Sequence, residues 1–228
     1  MIPERPPVLA HERFVADRDS FAGLDLAARF ERIERTNLWG ADTSVSGLGS
    51  EDRATAAIRD ALPPLLQRLG ARSLLDAPCG DAGWIGSMKL GVGYTGIDIV
   101  ASLIAANSER AARGELPGRF QVADITRDAL PSADLILCRD CLVHLSFANI
   151  ARAVANFRAS GARFLLLTTF PEWDDNSDCE DGDWRALNMA KAPFDWPAPR
   201  ELINERCEEG GGGWRDKSLG LWRLEDVR

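Results

Sequence analysis

Apolar positions in the second half of the chain come in short runs. "SLLDA", "GYTGIDIV", "RFQVAD", "ADLILCR" and "RFLLLTTF" each have the length of a strand and recur from residue 72 onward. Between them, 101 to 113 and 147 to 159 show the wider spacing of helices, with Ser146 in place to cap the second. Strands alternating with helices predict right-handed crossovers and a parallel sheet covered on both faces. Upstream, helices are predicted at 25–36 and from Ser50 onward, the latter with Ile58, Leu62, Leu65 and Leu66 on its apolar face. Pro63 and Pro64 are expected to bend or break that helix. Pro3, Pro6 and Pro7 predict a mobile arm. Near the end, "ELIN", four glycines and a strand at about 218–225 predict an antiparallel pair with a flexible tip. The expected organisation is an arm, helix and possible lid over 1–50, then one α/β domain over 51–228.

Charge narrows the partners. A formal charge of −8 over 228 residues offers no basic field for a phosphate backbone, which argues against nucleic acid. No apolar run reaches a membrane span, and "MIPERPPVLAHERF" has no signal-peptide core. Five cysteines without framework spacing suit reduced thiols, so a soluble cytoplasmic protein is expected.

The stretch "LLDAPCGDAGW", residues 74–84, ends a predicted strand and leads into a segment with room for a helix. A dinucleotide loop needs G-x-G-x-x-G, because a pyrophosphate presses on the backbone. Pro78 and Ala82 stand in that way, and no G-x-G occurs in the loop. S-adenosylmethionine (SAM) carries no phosphate and needs one close turn, which Gly80 supplies. It also needs an acid for the ribose hydroxyls, and Asp98 ends the next strand. Asp124, ending the third, has two readings: it accepts from the adenine amino group, or it caps the following turn.

These segments, with "ADLILCRDCLVHLS", resemble class I SAM-dependent methyltransferases in order and spacing over residues 70–225. The resemblance implies a doubly wound, mostly parallel seven-stranded sheet ending in an antiparallel hairpin. It implies cofactor contacts from Asp76, Ala77, Cys79 and Gly80, then from Asp98, Ile99, Asp124 and Ile125. Arg139, Asp140, Cys141 and His144 follow the fourth strand, where the family places residues facing the methyl group and the substrate. Arg139 is counted with the cofactor, and Trp39 is either a cover for it or an anchored connector. Pro78 and Ala82 depart from the family's usual glycines.

His144 is a candidate general base with Asp140 second; the other reading of His144 is packing. Cys138 and Cys141 lack further ligands for zinc, and no metal is expected. "DDNSDCEDGD" fails as a calcium loop, since Cys179 stands where glycine is needed. It is either a solvated acidic loop or an attractor for a cation. The expected activity is methylation of a small or sugar-like metabolite, at oxygen in preference. The alternatives are N-methylation of a cationic metabolite, or a SAM-binding sensor without turnover.

Overall fold

The computed structural model describes residues 5–227. Its centre is one seven-stranded sheet in the order β3-β2-β1-β4-β5-β7-β6. The strands are β1 (Ser73–Asp76), β2 (Gly93–Asp98), β3 (Arg119–Val122), β4 (Leu135–Cys138), β5 (Phe164–Thr169), β6 (Glu201–Asn204) and β7 (Ser218–Arg223). β1 pairs in parallel with both β2 and β4, so strand order reverses between β1 and β4. β7 runs antiparallel between β5 and β6, which is the expected hairpin.

Five helices flank the sheet: α1 (Leu9–Ala16), α2 (Leu26–Thr36), α3 (Asp52–Leu69), α4 (Ala101–Ala112) and α5 (Phe147–Ala159). Alternation along β1 divides the core. Leu74 packs with Ile58, Leu62 and Leu66 of α3, whereas Leu75 lies on the other face with Ile150, Val154 and Phe157 of α5. Ser146 caps α5 by accepting from the Asn149 amide. β3 closes one edge and is half open to solvent, as an edge strand is.

Three expectations change. α3 runs through Pro63 and Pro64 as one helix, because Leu62, Leu65 and Leu66 are clamped in the core on one side. Pro64 and Asp60, whose carbonyl loses its usual donor there, lie on the exposed side where water substitutes. The link from β1 to β2 holds turns and no helix over 77–92, a stretch broken by Gly80, Gly83, Gly86 and Gly91. The arm is docked from its first described residue, while Pro3 lies outside the described residues. Arg5 is buried, paired with Asp216 at 2.8 Å, and sits over the rings of Trp173 and Trp214 at 5.2 and 5.0 Å. The glycine tip is docked too: a Cβ on Gly210 would meet the Pro6 ring at 2.4 Å.

Candidate active site

The carboxyl ends of β1, β2 and β4 open into a cleft of about 970 Å³, its open mouth included. Ligand sites in open α/β sheets lie at such a reversal of strand order. Asp76, Cys79, Gly80, Asp98, Ile99, Asp124, Ile125 and Arg139 all stand on its wall. Ala77 does not: its amide donates to the Leu137 carbonyl at 2.8 Å and its methyl is fully buried behind the wall.

The three acids are held differently. Asp98 accepts from the amides of Gly80 and Val100, both at 2.9 Å, one on each oxygen. Each oxygen keeps a lone pair for a further donor. Burial pushes its carboxyl up to about 6, against the pull of those amides. Asp76 is pushed up to about 7 by burial, although the Tyr94 hydroxyl donates to it at 2.8 Å. Asp124 uses Oδ1 to take the amide and hydroxyl of Thr126, at 2.8 and 2.7 Å, so the capping geometry is present. Its Oδ2 lies 3.3 Å from Arg127.

Gly80 has φ +53°, and a Cβ there would meet the Ser46 hydroxyl at 2.2 Å. The loop before α3 therefore presses on the β1 loop, with Ser46 taking the Asp81 amide and Ser44 donating to the Asp81 carboxylate. Ala82, where the resemblance expects glycine, adopts φ +50° all the same. Trp39 and Phe30, from α2 and the loop after it, line the cleft from above.

After β4 the chain presents a closed square of charge. Arg139 donates to Glu205 at 2.5 Å and lies 3.4 Å from Asp140; Lys217 reaches Asp140 at 2.5 Å and lies 3.7 Å from Glu205. Burial works to raise the Asp140 carboxyl, but Lys217 and Arg139 outweigh it and bring it to about 2. Arg139 also donates to the Gly49 carbonyl, so its guanidinium is committed to the protein. The tail thus reaches the site through Lys217, on the strand-proximal side of the glycine tip.

His144 is buried and stacks on Trp39 with ring centroids 4.4 Å apart. Its Nδ1 lies 2.8 Å from the Asp183 carbonyl, which only accepts, so Nδ1 carries the proton. Nε2 is then the acceptor and has no partner among the described residues. Burial lowers the imidazole to about 4, although the Asp183 carbonyl works the other way.

A second chamber of about 560 Å³ lies beyond this wall. Trp39, Ser46, Asp140 and His144 border both spaces. Its far side is aromatic: Phe170, Trp184 and Trp214, with Val8 to Ala10 of the N-terminal segment. Phe170 and Trp214 carry no motif a reader could pick out; the structure alone assembles them with Lys217. Among the other tryptophans, Trp84 lines the cleft, Trp184 lines the chamber and Trp173 packs under Arg5.

The acidic stretch is tied down over its second half, while Asp174 and Asp175 are exposed to solvent. Asp178 and Asp181 cap the start of α5, Glu180 pairs with Arg18, and Asp183 meets His11. No metal-ligating cluster is present among the described residues. No helix among them is long and apolar enough to cross a membrane.

Residues 74–160 match a family described as a methyltransferase domain. That stretch, less than half of the chain, is similar to a methyltransferase domain. The cleft suits a donor without phosphate: Glu34, Asp76, Asp98, Asp124 and Asp140 line it, and its one guanidinium, Arg139, is paired with Glu205. A diphosphate would meet these acids, although the start of α4, through Val100 and Leu103, also borders the cleft.

Two solved structures with TM-scores above 0.5 share the fold. The methyltransferase domain of a bacterial protein, CtHen1, is 12% identical, with 75% of this chain and 99% of that one covered and a TM-score of 0.52. Human N-acetylserotonin methyltransferase, solved in complex with SAM, is 13% identical over 95% of this chain and 60% of its own, at a TM-score of 0.54. The PH0226 protein from Pyrococcus horikoshii is 21% identical over 52% of this chain, with a TM-score of 0.43, and the matched region spans 59% of it. No curated protein matches the chain.

Proposed function

We propose that the protein methylates a small-molecule acceptor, at oxygen in preference, with the acceptor in the second chamber and the donor in the cleft. The shared wall of Trp39, Ser46, Asp140 and His144 supports this, since it is where the two spaces can exchange a group. SAM, when bound, supplies an electrophilic methyl on a sulfonium. In this reading Asp98 takes the ribose hydroxyls, Asp76 the amino-acid moiety, Ile99 and Ile125 the adenine faces, and Asp124 the adenine edge. Trp39 and α2 cover the cleft as a lid.

Of the two candidate bases, His144 is favoured. Its Nε2 is unprotonated and unpartnered, whereas Asp140 Oδ2 is occupied by Lys217. Asp140 instead holds the Lys217 ammonium at the wall. Rate enhancement comes mainly from holding the two partners together and excluding water.

Calorimetry combined with label transfer tests the reading. SAM and its demethylated product should bind and NAD should not, and label from methyl-labelled SAM should appear in low-mass acceptors. Label recovered on nucleic acid, or full SAM binding with no transfer to any metabolite fraction, would overturn it.

A further inference from the structure

We propose that the second chamber takes a planar aromatic compound bearing a hydroxyl group, its ring against Phe170, Trp184 and Trp214 and its hydroxyl against His144 and Lys217. This rests on the reading that the chamber holds the acceptor. Three rings meet edge to face on one side: Trp184 on Trp214 at 4.9 Å and 79°, Phe170 on Trp214 at 5.7 Å and 81°, and Phe170 on Trp184 at 5.9 Å and 88°. Such a cluster offers both faces and edges, which a flat π-system matches and a saturated ring does not. Of the polar groups, His144 and Asp140 lie on the wall shared with the cleft, and Lys217, in the chamber, is bonded to Asp140.

Those groups suit an aromatic hydroxyl. An ammonium has three donors; Asp140 takes one from Lys217 and Glu205 lies near a second, which leaves one for the acceptor oxygen. Nε2 of His144 accepts the hydroxyl proton while the oxygen forms the new C–O bond. The electron pair of the S–CH₃ bond stays on sulfur, and the proton leaves His144 to water. An imidazole brought down to about 4 is a weak base. It serves a phenol-like hydroxyl, with a pKa near about 10 for tyrosine, far better than one as reluctant as water at about 15.7. A cationic amine would meet the Lys217 ammonium. Of the acids on the chamber wall, Asp140 is already paired with Lys217 and Glu209 speaks for a cation, so an amine is the competing outcome of the test.

The test gives the full chain methyl-labelled SAM with three matched probes: 2-naphthol, its fully saturated analogue decahydro-2-naphthol, and 2-(aminomethyl)naphthalene. Methylation of 2-naphthol at least about ten times faster than of either other probe is expected. Trp184→Leu, at a half-buried position, should raise the KM for 2-naphthol about 2- to 10-fold, the range of one aromatic contact. Equal or faster methylation of the saturated alcohol or the amine overturns the aromatic-hydroxyl class and leaves methyl transfer standing. With no probe methylated, calorimetry of 2-naphthol on protein saturated with the demethylated cofactor decides. Either absent binding or binding without transfer overturns the inference, while failure to bind the cofactor at all overturns the underlying reading.

Discussion

The cofactor cleft and the second chamber share a wall but are built at different ranges along the chain. Most of the cleft comes from the ends of consecutive strands between Asp76 and Leu145, each placed by its own strand. The chamber draws Val8, Trp39, Phe170, Trp184, Trp214 and Lys217 from across the chain. The two also differ in charge. The cleft's acids are buried with spare lone pairs, while the chamber's Asp140 is matched by two cations. One region is shaped to receive donors and positive charge, and the other is neutral at its polar end and aromatic at the far end.

Substitutions on either side test that separation. The largest effect is expected at the wall, where His144→Ala should lower kcat by roughly 10²- to 10⁴-fold with SAM affinity kept within a few fold. The wild-type rate should rise with pH through the low imidazole value, about 4, and the variant should lose that inflection. A pH–rate profile in which the variant keeps both rate and inflection removes the proton-acceptor role. A loss of SAM binding instead would make His144 a packing residue of the cleft.

On the cofactor side alone, Asp98→Ala should weaken SAM by about 1.5–3 kcal/mol in calorimetry, the range for hydrogen bonds to a charged acceptor. The acceptor KM at saturating SAM should not move, and if it does, the two regions are coupled.

Stability against pH probes the same acids. Asp76 and Asp98 hold their protons in the fold up to about 7 and about 6, well above their unfolded range. The folded state therefore binds more protons, and stability is greatest near pH 4 and falls as pH rises to about 7. His144, lowered to about 4, acts in the opposite sense, but two carboxyls outweigh one imidazole. Melting temperatures from pH 4.5 to 7 should show the fall, and saturating SAM should flatten it. A Tm that rises across this window would contradict the burial of both acids.

The smallest effect is expected at Asp124, whose Oδ1 is taken by Thr126. Asp124→Ala should raise the SAM KM a few fold with kcat at saturation intact. A normal KM with a collapsed kcat would place this residue in the chemistry.

The sheet order and the acids at its strand ends were legible because each depends on neighbours in sequence: an apolar run, then a carboxylate. Asp98 follows that rule, and so does the Ser146 cap. Gly80 was legible as a tight turn, but its crowding by Ser46, 34 residues upstream, was not. Pro63 and Pro64 misled because local propensity ignores the packing of Leu62, Leu65 and Leu66. Ala77 misled because it sits beside the cleft acids but faces the core. Lys217 was legible only on condition that the glycine tip folds back, and Trp214 lay beyond reach: the glycine-rich sequence next to them suggests mobility, and the β6–β7 hairpin and the Arg5 contact carry them to the site.

Arg5 also gives the molecule an optical consequence. A guanidinium beside two indoles polarises their excited states, so Trp173 and Trp214 should change emission when the N-terminal segment leaves. Because Val8 to Ala10 line the chamber a few residues on, that change would report any departure of the segment from the chamber wall. The protein needs no added dye for such a record, and stopped-flow emission with and without acceptor would read the rate of departure in the native chain.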